Sequence, residues 1–179
     1  MGSLETLDLS NCPRIIELPG NMNDLTNLKY LILKGLTEVV KFPIINKLKS
    51  LENLLIDECK IENFSENIFG SSMQNLKKLS FIGCRFVKTL PALDYLRNLS
   101  TLIIISCSEL EVIPNVPITY CEEVSKLSVF HVSFCPKLRG YIYITAINIY
   151  YYHKYIYSIH LFISLFFNTR RAARHIRFS

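Results

Sequence analysis

The stretch Leu4-Glu5-Thr6-Leu7-Asp8-Leu9-Ser10-Asn11-Cys12 decides the fold, because its pattern L-x-x-L-x-L-x-x-C returns along the chain. It comes back as Leu28, Leu31, Leu33, Leu36 and as Leu51, Leu54, Ile56, Cys59. Further copies are Leu76, Leu79, Phe81, Cys84 and Leu99, Leu102, Ile104, Cys107, and a weaker one is Leu127, Phe130, Val132, Cys135. Successive starts lie 24, 23, 25, 23 and 28 residues apart. Each L-x-L core reads as a short strand whose leucines turn inward and whose intervening residues turn outward. One such strand buries too little to stand alone, so neighbouring copies must stack and share a core. The ninth position lies where the chain leaves the strand and takes a small side chain buried under the turn. Cysteine packs there as a small hydrophobe, and Leu36 fills the slot in copy two.

Outside the strands the copies stay regular. An apolar residue follows the cysteine by three positions at Ile15, Val87, Leu110 and Leu138, with Val39 at the matching place; Ile61 comes one residue earlier. Then come apolar–proline pairs, Leu18-Pro19, Phe42-Pro43, Leu90-Pro91 and Ile113-Pro114. Proline fixes an extended return and prevents a long helix. Copy three has Phe64-Ser65 instead, and its stretch 66–73 is expected to make a helical turn. A period of 23–28 residues lies within the range of about 20–29 that marks leucine-rich repeats. The predicted class is therefore α/β: a leucine-rich-repeat solenoid of about six repeats. Short parallel strands near 7–9, 31–33, 54–56, 79–81, 102–104 and 130–132 form the concave face, and the convex side is mostly irregular or short-helical.

The phrases Leu4–Pro13, Leu18-Pro19-Gly20-Asn21-Met22, Leu25–Leu31, Ser106–Pro114 and Phe134–Leu138 resemble the repeat region of plant intracellular disease-resistance receptors of the nucleotide-binding, leucine-rich-repeat type. The resemblance covers about residues 4 to 139. It implies a module that senses pathogen-derived or host proteins and restrains a nucleotide switch, acting in the cytoplasm. Nothing in this sequence resembles the switch itself, so the expectation is a truncated piece. The other readings are a membrane-anchored repeat protein and a non-functional gene fragment.

Charge divides unevenly. All 15 acids and 15 of the 20 lysines and arginines lie in residues 1–139, so the array is neutral and the +5 excess comes from Lys154, Arg170, Arg171, Arg174 and Arg177. Nothing here points to nucleic acid. Two domains are expected, repeats over 1–139 and a separate tail over 140–179. Residues 141–167 carry seven Tyr, seven Ile and three Phe without Gly, Pro, Asp or Glu, ahead of the arginine cluster. Their length suits a membrane helix with a basic stop, while Asn148, His153, Lys154 and His160 make such a span costly. Tyr, Ile, Phe, Asn and Lys are also residues of A/T-rich codons, which is how translated non-coding sequence would read. Membrane contact thus stays open.

Chemistry-bearing signals are sparse. There is no phosphate loop, dinucleotide fingerprint, nucleophile elbow or zincin motif, so no catalytic residues, no cofactor and no metal are expected. The ladder cysteines Cys12, Cys59, Cys84, Cys107 and Cys135 read as structural free thiols in a reducing compartment, with no C-x-x-C pair to hold zinc. Met1-Gly2-Ser3-Leu4-Glu5-Thr6 fits the myristoylation pattern by chance, because Leu4 already belongs to the core. Asn63-Phe64-Ser65 and Asn98-Leu99-Ser100 are sequons expected to be silent.

Function is expected on the outward side of the strands. Alternation places Tyr30, Ile32 and Lys34 there, then Leu55 and Asp57, Lys78 and Ile82, and Ile103 and Ile105. The apolar members are expected to form one strip that contacts a protein partner, with Lys34, Asp57 and Lys78 at its rim. The alternative is that the isoleucines serve only the strands.

Overall fold

A computed structural model of the chain describes residues 3–65, 67–114, 127 and 129–139, and the backbone of 141–143 and 175–177. Six strands, β1 (Thr6–Asp8), β2 (Tyr30–Lys34), β3 (Asn53–Asp57), β4 (Lys78–Ile82), β5 (Thr101–Ile105) and β6 (Val129–Ser133), form one sheet in sequence order. Every neighbouring pair is parallel, with Leu31, Leu54, Leu79, Leu102 and Phe130 in one register row. Consecutive parallel neighbours require the chain to return behind the sheet each time, so the molecule is a leucine-rich-repeat solenoid. Each strand from β2 onward runs one residue further at both ends than the L-x-L core alone predicts. Beyond the array, β7 (Tyr141–Tyr143) pairs antiparallel with β8 (His175–Arg177). The rest of the Tyr/Ile-rich tail, and the Met1-Gly2 acylation pattern, lie outside the described residues.

The core is the inward leucine ladder. Leu31, Leu33, Leu54, Ile56, Leu79, Phe81, Leu102 and Ile104 are all fully buried. Phe42, Phe64 and Phe81 form a chain of ring contacts at 5.6 and 5.7 Å, the second edge-on. Phe64 thereby takes over the packing that copy three lacks through its missing proline. Edge-to-face rings of this kind contribute about 0.5–1.5 kcal/mol beyond the area they bury.

Among the described residues, the helical share of the predicted class shrinks to one 3-10 turn, Met22–Asp24. Of the stretch 66–73, the described residues 67–73 make turns, not a helix: Ile68 N–H donates to Ser65 O and Met73 N–H to Gly70 O, each a three-residue closure. The reason is a period of three that recurs on this side of the described coils. Met22, Leu25 and Leu28 are linked by successive i to i+3 bonds, as are Ile45, Leu48 and Leu51, and Leu93, Leu96 and Leu99. Apolar residues three apart eclipse in a tight turn and point to one side. Gly70 lies tight against the preceding coil: a β-carbon there would stand 2.8 Å from Asn46 O and 2.9 Å from Asn46 Cβ.

Each strand ends in the same bend. Asn11, Gly35, Glu58, Gly83, Ser106 and Phe134, one per coil, have φ between 54° and 70°. This left-handed residue turns the chain so that the next one, the ladder position, points under the sheet. Cys59, Cys84, Cys107 and Cys135 are buried there, while Cys12 is only partly covered because coil one has a neighbour on one side.

Candidate functional site: the outer face of the sheet

The outer face is a grid of three rows. The first runs Thr6, Tyr30, Asn53, Lys78, Thr101, Val129; the second Asp8, Ile32, Leu55, Ser80, Ile103, His131. The third contains Lys34, Asp57, Ile82, Ile105 and Ser133. All nine residues assigned to this face from the sequence lie in the grid. Tyr30 is 42% exposed, Lys34 is exposed, and Ile32, Leu55, Asp57, Lys78, Ile82, Ile103 and Ile105 are half-buried by their neighbours.

The predicted single strip is corrected in one respect: polar groups break it in the middle. Asp57 Oδ1 accepts a hydrogen bond from Ser80 Oγ at 2.9 Å and from the Ile82 amide at 3.1 Å. Ser80 is buried, although it belongs to the outward set. The apolar surface thus falls into two patches, Tyr30–Ile32–Leu55 on β2 and β3 and Ile82–Ile103–Ile105 on β4 and β5. One residue absent from the sequence-based set adds exposed apolar surface to this face, Val129 at 42% exposure. Val129 stands beside Thr101 by register, two residues before His131 on the same face of β6. Phe134, 55% exposed, follows β6 with a left-handed backbone, for which a bulky aromatic gives no sequence signal. His131 Nε2 and Ser133 Oγ, 3.0 Å apart, close the far side.

Behind the face, the thiols are held inert. Cys59 Sγ donates to Leu33 O at 3.3 Å, Cys84 Sγ to Ile56 O at 2.8 Å and Cys107 Sγ to Phe81 O at 3.4 Å, each in the preceding coil. The ladder position is therefore a cross-coil donor as well as a filler. Burial pushes the Cys59 thiol up to about 11. For Cys107 the contact with Cys135 favours the thiolate, but the contact with Cys84 and burial oppose it, and the balance is about 12. Cys135 is raised by its contact with Cys107 and by burial. A thiol held protonated at neutral pH is a poor nucleophile and a poor metal ligand. Among the described residues no group of three His, Cys, Asp or Glu could hold a metal ion.

Three lysines close short ion pairs to glutamates of the preceding coil. Lys29 Nζ meets Glu5 at 2.9 Å, Lys77 meets Glu52 at 2.8 Å and Lys137 meets Glu109 at 2.6 Å. The bond to Glu5 holds the Lys29 ammonium above its ordinary value, and the bond from Lys77 holds Glu52 below its own. Asn98 of the second sequon is engaged too: its amide nitrogen donates to Gln74 O. Asn63 of the first is exposed.

A cleft of about 500 Å³ lies off the sheet, among the turns after the cysteines, lined by Glu62, Asn63, Arg85, Phe86, Lys88, Ser108 and Glu109. Its acids and bases are mixed, Ser108 Oγ is bonded to Arg85 O, and Glu109 is held by Lys137. No helix among the described residues is long and apolar enough to cross a membrane.

Residues 37–107 match the family model of R13L1/DRL21 leucine-rich repeats, so this segment is leucine-rich repeat by sequence as well as by fold. No curated protein matches the chain. Among solved structures, a leucine-rich-repeat protein of Leptospira interrogans is similar at 22% identity and a TM-score of 0.47, over 76% of this chain and 42% of that one. The chain thus spans less than half of that protein's length.

Proposed function

We propose that the chain is a protein-recognition module of the plant disease-resistance type, which senses a pathogen or host protein on the outer face of its sheet. Leucine-rich repeats are in general protein-interaction modules rather than enzymes. The observation that carries the reading is the display of large apolar side chains, Tyr30 and Val129 among them, on a face the core does not use. Apolar surface of that kind gains free energy when a partner covers it, at roughly 25 cal/mol per Å². The R13L1/DRL21 repeat type, which is of plant resistance-protein kind, supports the disease-resistance setting. Five unpaired thiols among the described residues suit the cytoplasm as the place of action.

The test is capture from plant-cell extract by the full chain and by its Ile82→Asp variant, with melting curves for both. The proposal expects Ile82→Asp to lose specific partners while its unfolding transition stays cooperative. Identical partner sets from the two folded proteins would remove the outer face from recognition.

A further inference from the structure

The outer face carries two lysines, Lys34 and Lys78, alongside Asp8 and Asp57. Elsewhere in the coils four lysines meet glutamates, Lys29 with Glu5, Lys77 with Glu52, Lys137 with Glu109, and Lys60 with Glu38 at 4.0 Å, while Lys41, Lys47, Lys49 and Lys88 stand off the sheet without such a pair among the described residues. The two lysines of the outer face, Lys34 and Lys78, have no ion pair within 4 Å among the described residues. Lys34 has an acid next to it in register, Asp57. That carboxylate is directed to β4 instead, where Oδ1 accepts from Ser80 and from the Ile82 amide. Two donors already satisfy much of its acceptor strength, which weakens its hold on a neighbouring ammonium. Lys78 has Asn53 and Thr101 as register neighbours, and neither is acidic.

Between the two cations stands Leu55, one strand from each. Lys34 and Lys78 are two strands apart across the sheet and offset by four residues along it, about 10 Å by 13 Å from strand geometry. The diagonal therefore reads cation, apolar, cation. Resting on the reading that this face captures a protein, we infer that its occupant is an acidic amphipathic segment. An apolar side chain of that segment covers Leu55, and carboxylates on either side meet Lys34 and Lys78. Both cations are at least partly in solvent, so the preference weakens as salt screens beyond about 8–10 Å.

The probes are two labelled synthetic peptides of equal length with leucines at the same places, one carrying glutamates between them and the other lysines. Fluorescence anisotropy with the full chain at low salt is expected to give at least tenfold tighter binding of the glutamate peptide, a preference that shrinks as salt rises. The double variant Lys34→Glu/Lys78→Glu is expected to invert the preference, and Lys88→Glu, off the sheet, to leave it unchanged. Equal binding of both peptides, tighter binding of the lysine peptide, no binding of either, or a preference that survives the double reversal overturns the inference. A Leu55→Asp variant separates the two readings. If the wild type binds both peptides equally and Leu55→Asp loses both, the face captures proteins without selecting charge.

Discussion

At the scale of single residues, the bend after each strand is the most exacting position. A left-handed φ costs a side-chain-bearing residue about 1–2 kcal/mol, and only Gly35 and Gly83 avoid that cost. Glu58→Gly and Ser106→Gly are therefore expected to stabilise, by about 0.5–1 kcal/mol each once the added freedom of the unfolded chain is subtracted. Urea denaturation checks this, and a loss of stability in both would mean those side chains make compensating contacts. Gly70→Ala is expected to go the other way by more than about 1 kcal/mol, because Asn46 leaves no room for a β-carbon. At Cys84 a hydroxyl would find a partner, because Ile56 O lies 2.8 Å from the sulfur. Cys84→Ser should then cost no more than Cys84→Ala, and a serine variant much the less stable of the two would contradict this. The bend itself was partly legible. Gly35 and Gly83 stand just before the ladder position and Asn11 does the same, whereas Glu58, Ser106 and Phe134 give no hint of a left-handed backbone.

At the scale of elements, the strands follow from spacing alone, because inward leucines two apart and copies about 24 apart admit one register. Less was legible on the return. The triads Met22–Leu25–Leu28 and Leu93–Leu96–Leu99 impose a period of three, which competes with the helical period suggested for 66–73. The division of the outer face was hidden for another reason. It depends on the direction in which one carboxylate, Asp57, turns, and residue type does not determine that. The buried ladder makes two measurable statements. Native protein at neutral pH should react slowly with thiol reagents at Cys59, Cys84, Cys107 and Cys135, and faster at Cys12; fast labelling of Cys84 would mean the coils open readily. Alkaline stability follows from the raised thiols. Cys59 titrates near 11 and Cys107 near 12 in the folded state, against 9.0 ordinarily, so the folded state binds more protons between those values. Stability from these groups is complete below about pH 9 and falls as pH rises through 9 to 12. Melting temperatures taken from pH 7 to 10.5 should be level first and then decline.

At the scale of the molecule, the coils divide labour between two faces of one sheet. The inner leucines, the thiols and the phenylalanine chain form a continuous core, so damage to one coil weakens its neighbours. Leu79→Ala, fully buried between two coils, is expected to cost about 2–5 kcal/mol. The outer face, in contrast, is claimed to serve recognition and not folding. The most direct test compares two neighbours on β5 that point opposite ways, Leu102 inward and Ile103 outward. Chemical denaturation of Leu102→Asp and Ile103→Asp should give sharply different results. Leu102→Asp introduces a charge into the core and should abolish the cooperative transition, at a cost above about 4 kcal/mol. Ile103→Asp should keep the transition and lose only about 1 kcal/mol, the range of strand-surface preferences. If Ile103→Asp unfolds the protein as Leu102→Asp does, the outer isoleucines belong to the fold and the recognition surface assigned to them does not exist.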